Sequence, residues 1–298
     1  MRTDVSFCLV GDFVRVTISK MGFPKTAPLR VFGGSVSASF SDFDFSDFDA
    51  SCEKVSNLLD TFGDDFQQNV ELFAEDCGGR FENNVYRARR TVRDLLLCNE
   101  FDYFGTFTLD EGKRDRFDIG EFKRSFCAWL KAYSRYHGCR VQYVLVPEQH
   151  ANGAWHMHGV FRGLPDGALT PFVKGKHPRK LVEGGFLNWS AYADKFGFCS
   201  FGAIRDKERV ASYVSAYVTK ALTGDALDKG SHLFMASKGL NRPVVKLLRG
   251  VVCDSDPVSM GFFENDFCFI KSFRLSEVAK VSEVCPEFDF CAVFESAF

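Results

Sequence analysis

The 298-residue sequence lacks several signals that would place it in a common class. It has 11 cysteines but no Cys-x-x-Cys pair, and none of the usual zinc-finger spacings is present. No apolar run is long enough to cross a bilayer, and no export signal is recognisable. A glycine-rich nucleotide-binding loop with a lysine is also missing. We therefore expect neither a zinc finger nor a membrane span, and no helicase domain within this chain.

A surplus of basic residues is missing from the chain as a whole but present in its middle. The formal net charge is −2, which by itself argues against a nucleic-acid partner. Residues 111–250 hold 23 Lys plus Arg against 12 Asp plus Glu, whereas the remainder holds 14 against 27. The middle of the chain is therefore suited to an anionic partner, and the flanks are not.

Two histidines stand two residues apart within this basic middle. His156 and His158 lie in the β-rich run 155–161, which follows a second β-rich run, 142–146, across a turn that contains Asn152-Gly153. Because side chains alternate along a strand, both imidazoles would point to one face of a hairpin. A metal ion can be bound from that face.

A carboxylate is available as a third ligand. Glu148 closes the first strand of the hairpin, where antiparallel pairing would bring it near the two imidazoles, and His150 is a rival for the same position. Two nitrogens and one carboxylate oxygen suit manganese, magnesium or zinc. A His-x-His pair also occurs by chance on surface strands, so the metal prediction needs a second motif.

The second motif is a helix that carries two tyrosines. Asp206 is a predicted N-cap, and Gly224 stands where a left-handed C-terminal residue is favoured. Residues three and four apart are neighbours on a helix, which predicts one stripe of reactive side chains and one apolar stripe that faces a core. The first stripe, expected to be displayed and not packed, is Tyr213, Tyr217 and Lys220; the second is Val210, Val214 and Val218.

In this order, the motifs resemble those of the replication initiators of the HUH endonuclease superfamily, which start rolling-circle replication of small phages and plasmids. The resemblance extends from about residue 86 to residue 243. Residues 104–109 are similar to motif one, 147–159 to motif two with its upstream acidic residue, and 213–220 to motif three in the two-tyrosine form. Residues 237–243 resemble a segment that follows motif three in phage-type members. Ala216 departs from the pattern, since many relatives carry a lysine there.

The resemblance implies a DNA endonuclease and strand transferase. A divalent ion, Mg²⁺ or Mn²⁺, would be held by His156, His158 and Glu148 and would coordinate the scissile phosphate of single-stranded origin DNA. A tyrosine would then attack, giving a 5′-phosphotyrosine and a free 3′-hydroxyl, and the strands would later be rejoined. The implied partners are single-stranded or supercoiled origin DNA, a host helicase and a DNA polymerase, with no membrane. The implied location is a bacterial host cytoplasm, with reduced thiols.

The choice between the tyrosines depends on a nearby cation. A free phenol has a pKa near 10, so it is a weak nucleophile at neutral pH unless a cation or metal lowers that value. Lys220 lies one turn from Tyr217 and about two turns from Tyr213. We therefore predict Tyr217 as the primary nucleophile and Tyr213 as a second one.

Other residues are candidates for contacts with DNA. Exposed cations bind phosphates and aromatic rings stack on unpaired bases, although a solvated loop is an equally good interpretation of the cluster around residue 177. Most of the 34 phenylalanines are expected in the core. The candidate phosphate contacts are Lys174, Lys176, Arg179, Lys180, Arg205, Lys238 and Arg242, and the candidate stacking residues are Trp155, Trp189 and Tyr192.

Three alternatives remain open at this point. A relaxase or a transposase of the same superfamily would share the chemistry. A non-catalytic nucleic-acid-binding relative would retain the motifs without activity. A zinc hydrolase built on His156 and His158 would act on small esters or peptides and would need neither tyrosine.

The order of predicted strands and helices indicates an α+β fold, an antiparallel sheet covered by helices. The resemblance makes this more specific: a central five-stranded antiparallel sheet with the tyrosine helix alongside. We divide the chain into an N-terminal accessory region, 1–82, an endonuclease domain, 83–250, and an acidic, Phe-rich C-terminal segment, 251–298. The predicted elements are a hairpin of strands 5–10 and 13–19, a strand or acidic segment at 39–49, helices at 49–62, 83–99 and 118–138, and a strand at 198–204.

Overall fold

The computed structural model describes residues 2–22, 80–220, 233–264 and 268–294, without the side chains of residues 80–84, 86, 219 and 220. The predicted elements at 39–62 and the predicted helix end at Gly224 lie outside these ranges. The strands, in chain order, are β1 (Arg2–Val10), β2 (Phe13–Ser19), β3 (Tyr103–Thr108), β4 (Gln142–Gln149), β5 (Trp155–Arg162), β6 (Leu169–Pro171), β7 (Leu187–Trp189), β8 (Cys199–Ala203), β9 (Met235–Ala236), β10 (Val244–Val252), β11 (Phe263–Glu264) and β12 (Cys268–Arg274). The α-helices are α1 (Arg80–Leu97), α2 (Ile119–Tyr136), α3 (Arg179–Glu183), α4 (Ser190–Lys195), α5 (Lys207–Lys220), α6 (Ala279–Val284) and α7 (Phe290–Phe294).

The chain divides into two compact units. One consists of residues 1–87 and 242–298, and the other consists of residues 88–241. Boundaries near 82 and 250 were expected from the sequence, with the two ends of the chain as separate regions. The observed units differ because β1 pairs with β10, so strands from both ends share one sheet.

The unit formed by the two ends contains a five-stranded antiparallel sheet in the order β10-β1-β2-β12-β11. The predicted hairpin is present, and Gly11 in its turn has a φ of 54°, a left-handed conformation that glycine adopts at little cost. One face of the sheet packs into a core with side chains of the last two helices. That core also holds Cys253 and Cys285, whose sulfur atoms are 3.1 Å apart.

The middle unit contains a seven-stranded antiparallel sheet in the order β6-β7-β8-β3-β5-β4-β9. The α+β fold class is therefore confirmed, with antiparallel sheets flanked by helices. Seven strands are present where five were expected, because β6, β7 and β9 are only two or three residues long. Strands this short carry no readable alternation of apolar and polar residues.

One face of this sheet is the apolar core of the middle unit. Phe107, Leu145, Met157, Phe161 and Phe201 project from β3, β4, β5 and β8 into a single buried cluster with residues of α2 and α4. Helix α2 begins as predicted, since the carboxylate of Asp118 accepts a hydrogen bond from the backbone N–H of Glu121 at 2.8 Å. Residues of opposite parity on the strands face the other way, and these include both histidines.

Within the described ranges, no helix is long and apolar enough to cross a membrane.

Gly159, the residue after His158, allows β5 to approach its neighbour closely. A Cβ atom added there would lie 2.0 Å from the carbonyl oxygen of Val144 and 2.9 Å from the Cα atom of Leu145. We predict that Gly159→Ala lowers the free energy of unfolding by about 2–3 kcal/mol, the usual cost of overpacking, as measured by urea denaturation. Gly202→Ala in β8 is the matched control, because its nearest neighbour would be the ring of Phe186 at 3.3 Å. Equal stability of the two variants would contradict the observed register.

Candidate active site

Strand pairing brings the candidate ligands together on one face of the seven-stranded sheet. His156 in β5 pairs with Glu148 in β4 and with Thr108 in β3, which forms one row across three strands. His158 pairs with Thr106 in the next row on the same face. Because side chains alternate, both rows face away from the apolar core. The register therefore sets two imidazoles, one carboxylate and two hydroxyls side by side.

His158 is tied to both neighbouring strands. Its Nε2 atom lies 2.7 Å from Oε2 of Glu148, and its Nδ1 atom lies 3.3 Å from Oγ1 of Thr106. All three residues are buried, with exposed fractions of 7–9%. A buried carboxylate and a buried imidazole satisfy each other here, so neither lacks a polar partner.

His156 has a different environment. Its Nδ1 atom lies 3.2 Å from Oγ1 of Thr108, and its ring stacks on that of His150 at 3.7 Å between centroids. Burial, followed by the charges of His150 and His158, lowers the pKa of His156 to about 3. The ring is therefore neutral at physiological pH, which is the protonation state that binds a metal ion.

His150, the rival third ligand, lies farther from the carboxylate. Its Nε2 atom is 3.9 Å from Oε2 of Glu148, against 2.7 Å for His158. Among the side chains that the structure describes, no three or more of His, Cys, Asp and Glu form a group arranged to hold a metal ion. The structure thus brings His156, His158 and Glu148 to one place, with Glu148 and His158 hydrogen-bonded to each other.

Helix α5 covers this part of the sheet. Its N-terminus is capped as predicted, since the carboxylate of Asp206 accepts a hydrogen bond from the N–H of Arg209 at 3.0 Å. Val214 and Val218 are fully buried, also as predicted. The ring of Tyr217 stacks on that of His158 at 4.0 Å, with an angle of 6° between the planes.

The expectation that both phenols are displayed is wrong for Tyr217, which is only 4% exposed. Its stripe of the helix faces β4 and β5 instead of solvent. Tyr213 is partly exposed and meets Phe104 edge to face at 5.4 Å. The two phenol hydroxyls hydrogen-bond to each other. Lys220 ends the helix, and its side chain lies outside the described part of the chain.

The predicted DNA-binding residues fall into two groups. Trp155, Trp189 and Tyr192 are buried, with exposed fractions of 2%, 0% and 0%, so the prediction that they stack on bases is wrong. They belong to the interior because their strand and helix positions face the core side of the middle unit. The predicted cations are all exposed: Lys174, Lys176, Arg179, Lys180, Arg205 and Lys238 in the middle unit and Arg242 in the other.

Two kinds of site residue could not be identified from the sequence. The strand 103–108 was recognised as rich in threonine, but the pairing of Thr106 and Thr108 with the histidines depends on a register between segments some 50 residues apart. Phe198 is an exposed ring beside β8 that was hidden among 34 phenylalanines. Its position opposite Thr108 was the only available signal.

An antiparallel α+β sheet with paired histidines beneath a two-tyrosine helix is thus the arrangement to compare with known proteins. Residues 102–222 match the model of a family described as replication-associated protein, of the ORF2 type. The matched stretch contains every histidine, tyrosine and carboxylate of the candidate site and less than half of the chain. No curated protein and no solved structure matches the sequence. The match supports a replication-associated protein in general.

The buried ring of Tyr217 predicts two different effects for two substitutions. Tyr217→Ala removes a packed aromatic ring and is expected to lower the free energy of unfolding by about 3–5 kcal/mol. Tyr217→Phe keeps the ring and loses one hydroxyl hydrogen bond, which costs about 1 kcal/mol. Urea denaturation measures both. Tyr136→Ala is the control, since Tyr136 is 86% exposed and its loss should leave stability unchanged. A mild effect of Tyr217→Ala would mean that the ring is not packed on His158.

Proposed function

We propose that this protein is a rolling-circle replication initiator that nicks single-stranded origin DNA through a tyrosine and later rejoins the strand. The observation that carries the proposal is the stacking of Tyr217 on His158, beside Glu148 and His156. A nucleophile from one element and candidate metal ligands from two others meet at one point. The family match over residues 102–222 supports DNA replication as the process and DNA as the partner.

The donor set fits a divalent ion, Mg²⁺ or Mn²⁺. His156, His158 and Glu148 would hold it, because the Nδ1 atoms of both histidines are engaged by Thr108 and Thr106 and leave Nε2 as the ligand atom. When bound, such an ion withdraws charge from the phosphate oxygens and makes phosphorus easier to attack. The hydrogen bond between Glu148 and His158 would be replaced by ligation.

The two tyrosines supply the nucleophile. The phenol oxygen of Tyr217 bonds to phosphorus as the bond from phosphorus to the 3′ oxygen breaks, which leaves a 5′-phosphotyrosine and a 3′-hydroxyl. The ester keeps the energy of the phosphodiester bond, so the reverse attack by a 3′-hydroxyl rejoins DNA without ATP. Because the hydroxyls of Tyr213 and Tyr217 hydrogen-bond to each other, both oxygens can reach one phosphate in successive rounds.

The tyrosine assignment predicts distinct behaviours for two single variants. With labelled single-stranded origin DNA and Mn²⁺, Tyr217→Phe should reduce the initial rate of covalent adduct formation by at least about 100-fold, since removing a member of a catalytic unit has effects of this size. Tyr213→Phe should retain the first adduct. Denaturing electrophoresis measures both. Full-rate adduct formation by Tyr217→Phe would overturn the assignment, and a hydrolase independent of both tyrosines would leave the double variant fully active on a small ester.

The threonine contacts predict a change in metal affinity. Thr108→Val removes the group that orients His156 and should weaken Mn²⁺ binding by about 10- to 100-fold. Calorimetric titration with MnCl₂ measures the binding directly, and adduct formation at saturating Mn²⁺ should recover toward the wild-type rate. Thr170→Val in β6 is the control, because Thr170 is exposed and its hydroxyl bonds only to the carbonyl of Asn188. Identical Mn²⁺ affinities for wild type and Thr108→Val would argue against His156 as a ligand.

A further inference from the structure

We infer that Phe198, together with the basic turn formed by residues 172–180, binds the single-stranded DNA that flanks the reacting phosphate, with an unpaired base stacked on the Phe198 ring. The inference deepens the proposed function, on which the choice of DNA as ligand rests. It names a surface and a residue that recognise the strand independently of the bond-breaking step.

Phe198 lies at the end of the row of residues that contains the candidate ligands. The N–H of Thr108 donates to the carbonyl oxygen of Phe198 at 2.8 Å, and the hydroxyl of the same threonine contacts His156. The next pair, Phe107 with Cys199, points into the apolar core. By alternation, Phe198 therefore projects to the face that carries His156. With neighbouring strands about 4.8 Å apart, its backbone lies about 10 Å from that of His156, within a few nucleotides of the phosphate.

The ring of Phe198 is both exposed and supported. It is 40% exposed, which is unusual for a phenylalanine, and one side of it stacks on Phe172 at 5.8 Å between centroids, with an angle of 22°. Phe172 itself is only 5% exposed and anchors the pair. The aromatic residues chosen from sequence are buried and cannot contact a base. Phe198 leaves an aromatic surface available on the face of the site.

The turn that follows Phe172 supplies positive charge. Its conformation is defined by hydrogen bonds, since the N–H of Val173 donates to Nδ1 of His177 at 2.9 Å and the N–H of Lys176 donates to the carbonyl of Val173 at 3.1 Å. Lys174 and Lys176 are exposed on this turn. The nearby Arg179 shares its charge with Glu183 at 2.6 Å, so the two lysines carry the electrostatic part of the argument.

An aromatic ring beside exposed cations favours single-stranded over duplex DNA. Stacking on one side chain needs a base that is free of its neighbours, and lysines contact the phosphates of any sequence. In a duplex the bases are already stacked on each other, so Phe198 would contribute nothing. The occupant is therefore a single strand with at least one base turned toward the sheet.

Fluorescence anisotropy with labelled dT₁₆ tests the inference on the full chain, in EDTA so that no nicking occurs. Phe198→Ala should weaken binding about tenfold, the effect of losing one base–aromatic stack, whereas Phe198→Trp should bind within twofold of wild type. An otherwise identical oligonucleotide with abasic sites should bind wild type and Phe198→Ala equally. The double variant Lys174→Ala/Lys176→Ala should weaken both oligonucleotides and reduce the slope of log affinity against log salt by about 1.4.

Tyr136→Ala is the matched control, because it removes an exposed ring that lies at the end of α2, away from the site, and should leave binding unchanged. Thermal melting confirms that the Phe198 variants remain folded. The inference is overturned if wild type does not bind dT₁₆, if Phe198→Ala binds like wild type, or if Tyr136→Ala and Phe198→Ala weaken binding equally. An equal loss on a duplex of the same length also overturns it. Because the assay contains no cleavage step, a protein that binds through Phe198 but forms no adduct would contradict the proposed function alone.

Discussion

The register of β5 between β3 and β4 is the constraint on which the site depends. A shift of one residue would turn His156 and His158 into the apolar core and expose Met157, because successive side chains point to opposite faces. The apolar face resists such a shift, since Phe107, Met157 and Phe161 form one buried cluster. Gly159 adds a steric restriction, as only a residue without a side chain fits against the backbone of Val144. Core packing on one face thus fixes the polar geometry of the other.

The polar face shows how charged and polar groups are tolerated beneath a helix. Glu148 and His158 are more than nine-tenths buried, and each finds a partner in the other or in Thr106. Tyr217 closes the arrangement by covering the His158 ring in a nearly parallel stack. Its burial restricts the side chain to few conformations, which positions a phenol oxygen without the help of a long flexible side chain. Reaction at this oxygen would need the covering helix or the substrate strand to admit phosphate to the His158 side.

Much of the middle unit could be predicted from sequence because its signals are local. The Asn152-Gly153 turn, the Asp118 and Asp206 caps and the helical spacing of Val214 and Val218 each involve residues within one element or one turn. The burial of Tyr217 could not be predicted, since helical spacing identifies a stripe without saying which stripe meets the sheet. Phe198 was missed for a related reason. Its significance comes from Thr108, about ninety residues earlier in the chain, and from a core that buries the three aromatic residues nearest the motifs.

The sheet built from both ends of the chain has a consequence for the order of folding. Strands β1 and β2 are made first, yet β10 and β12, which flank them, follow more than 220 residues later. A hairpin on its own is marginally stable in water, and closing so long a loop is slow. The 88–241 unit, whose strand contacts all fall within its own boundaries, can therefore assemble on the ribosome while the initial hairpin still waits for its neighbours. Synthesis would thus complete the histidine and tyrosine site before the terminal sheet exists.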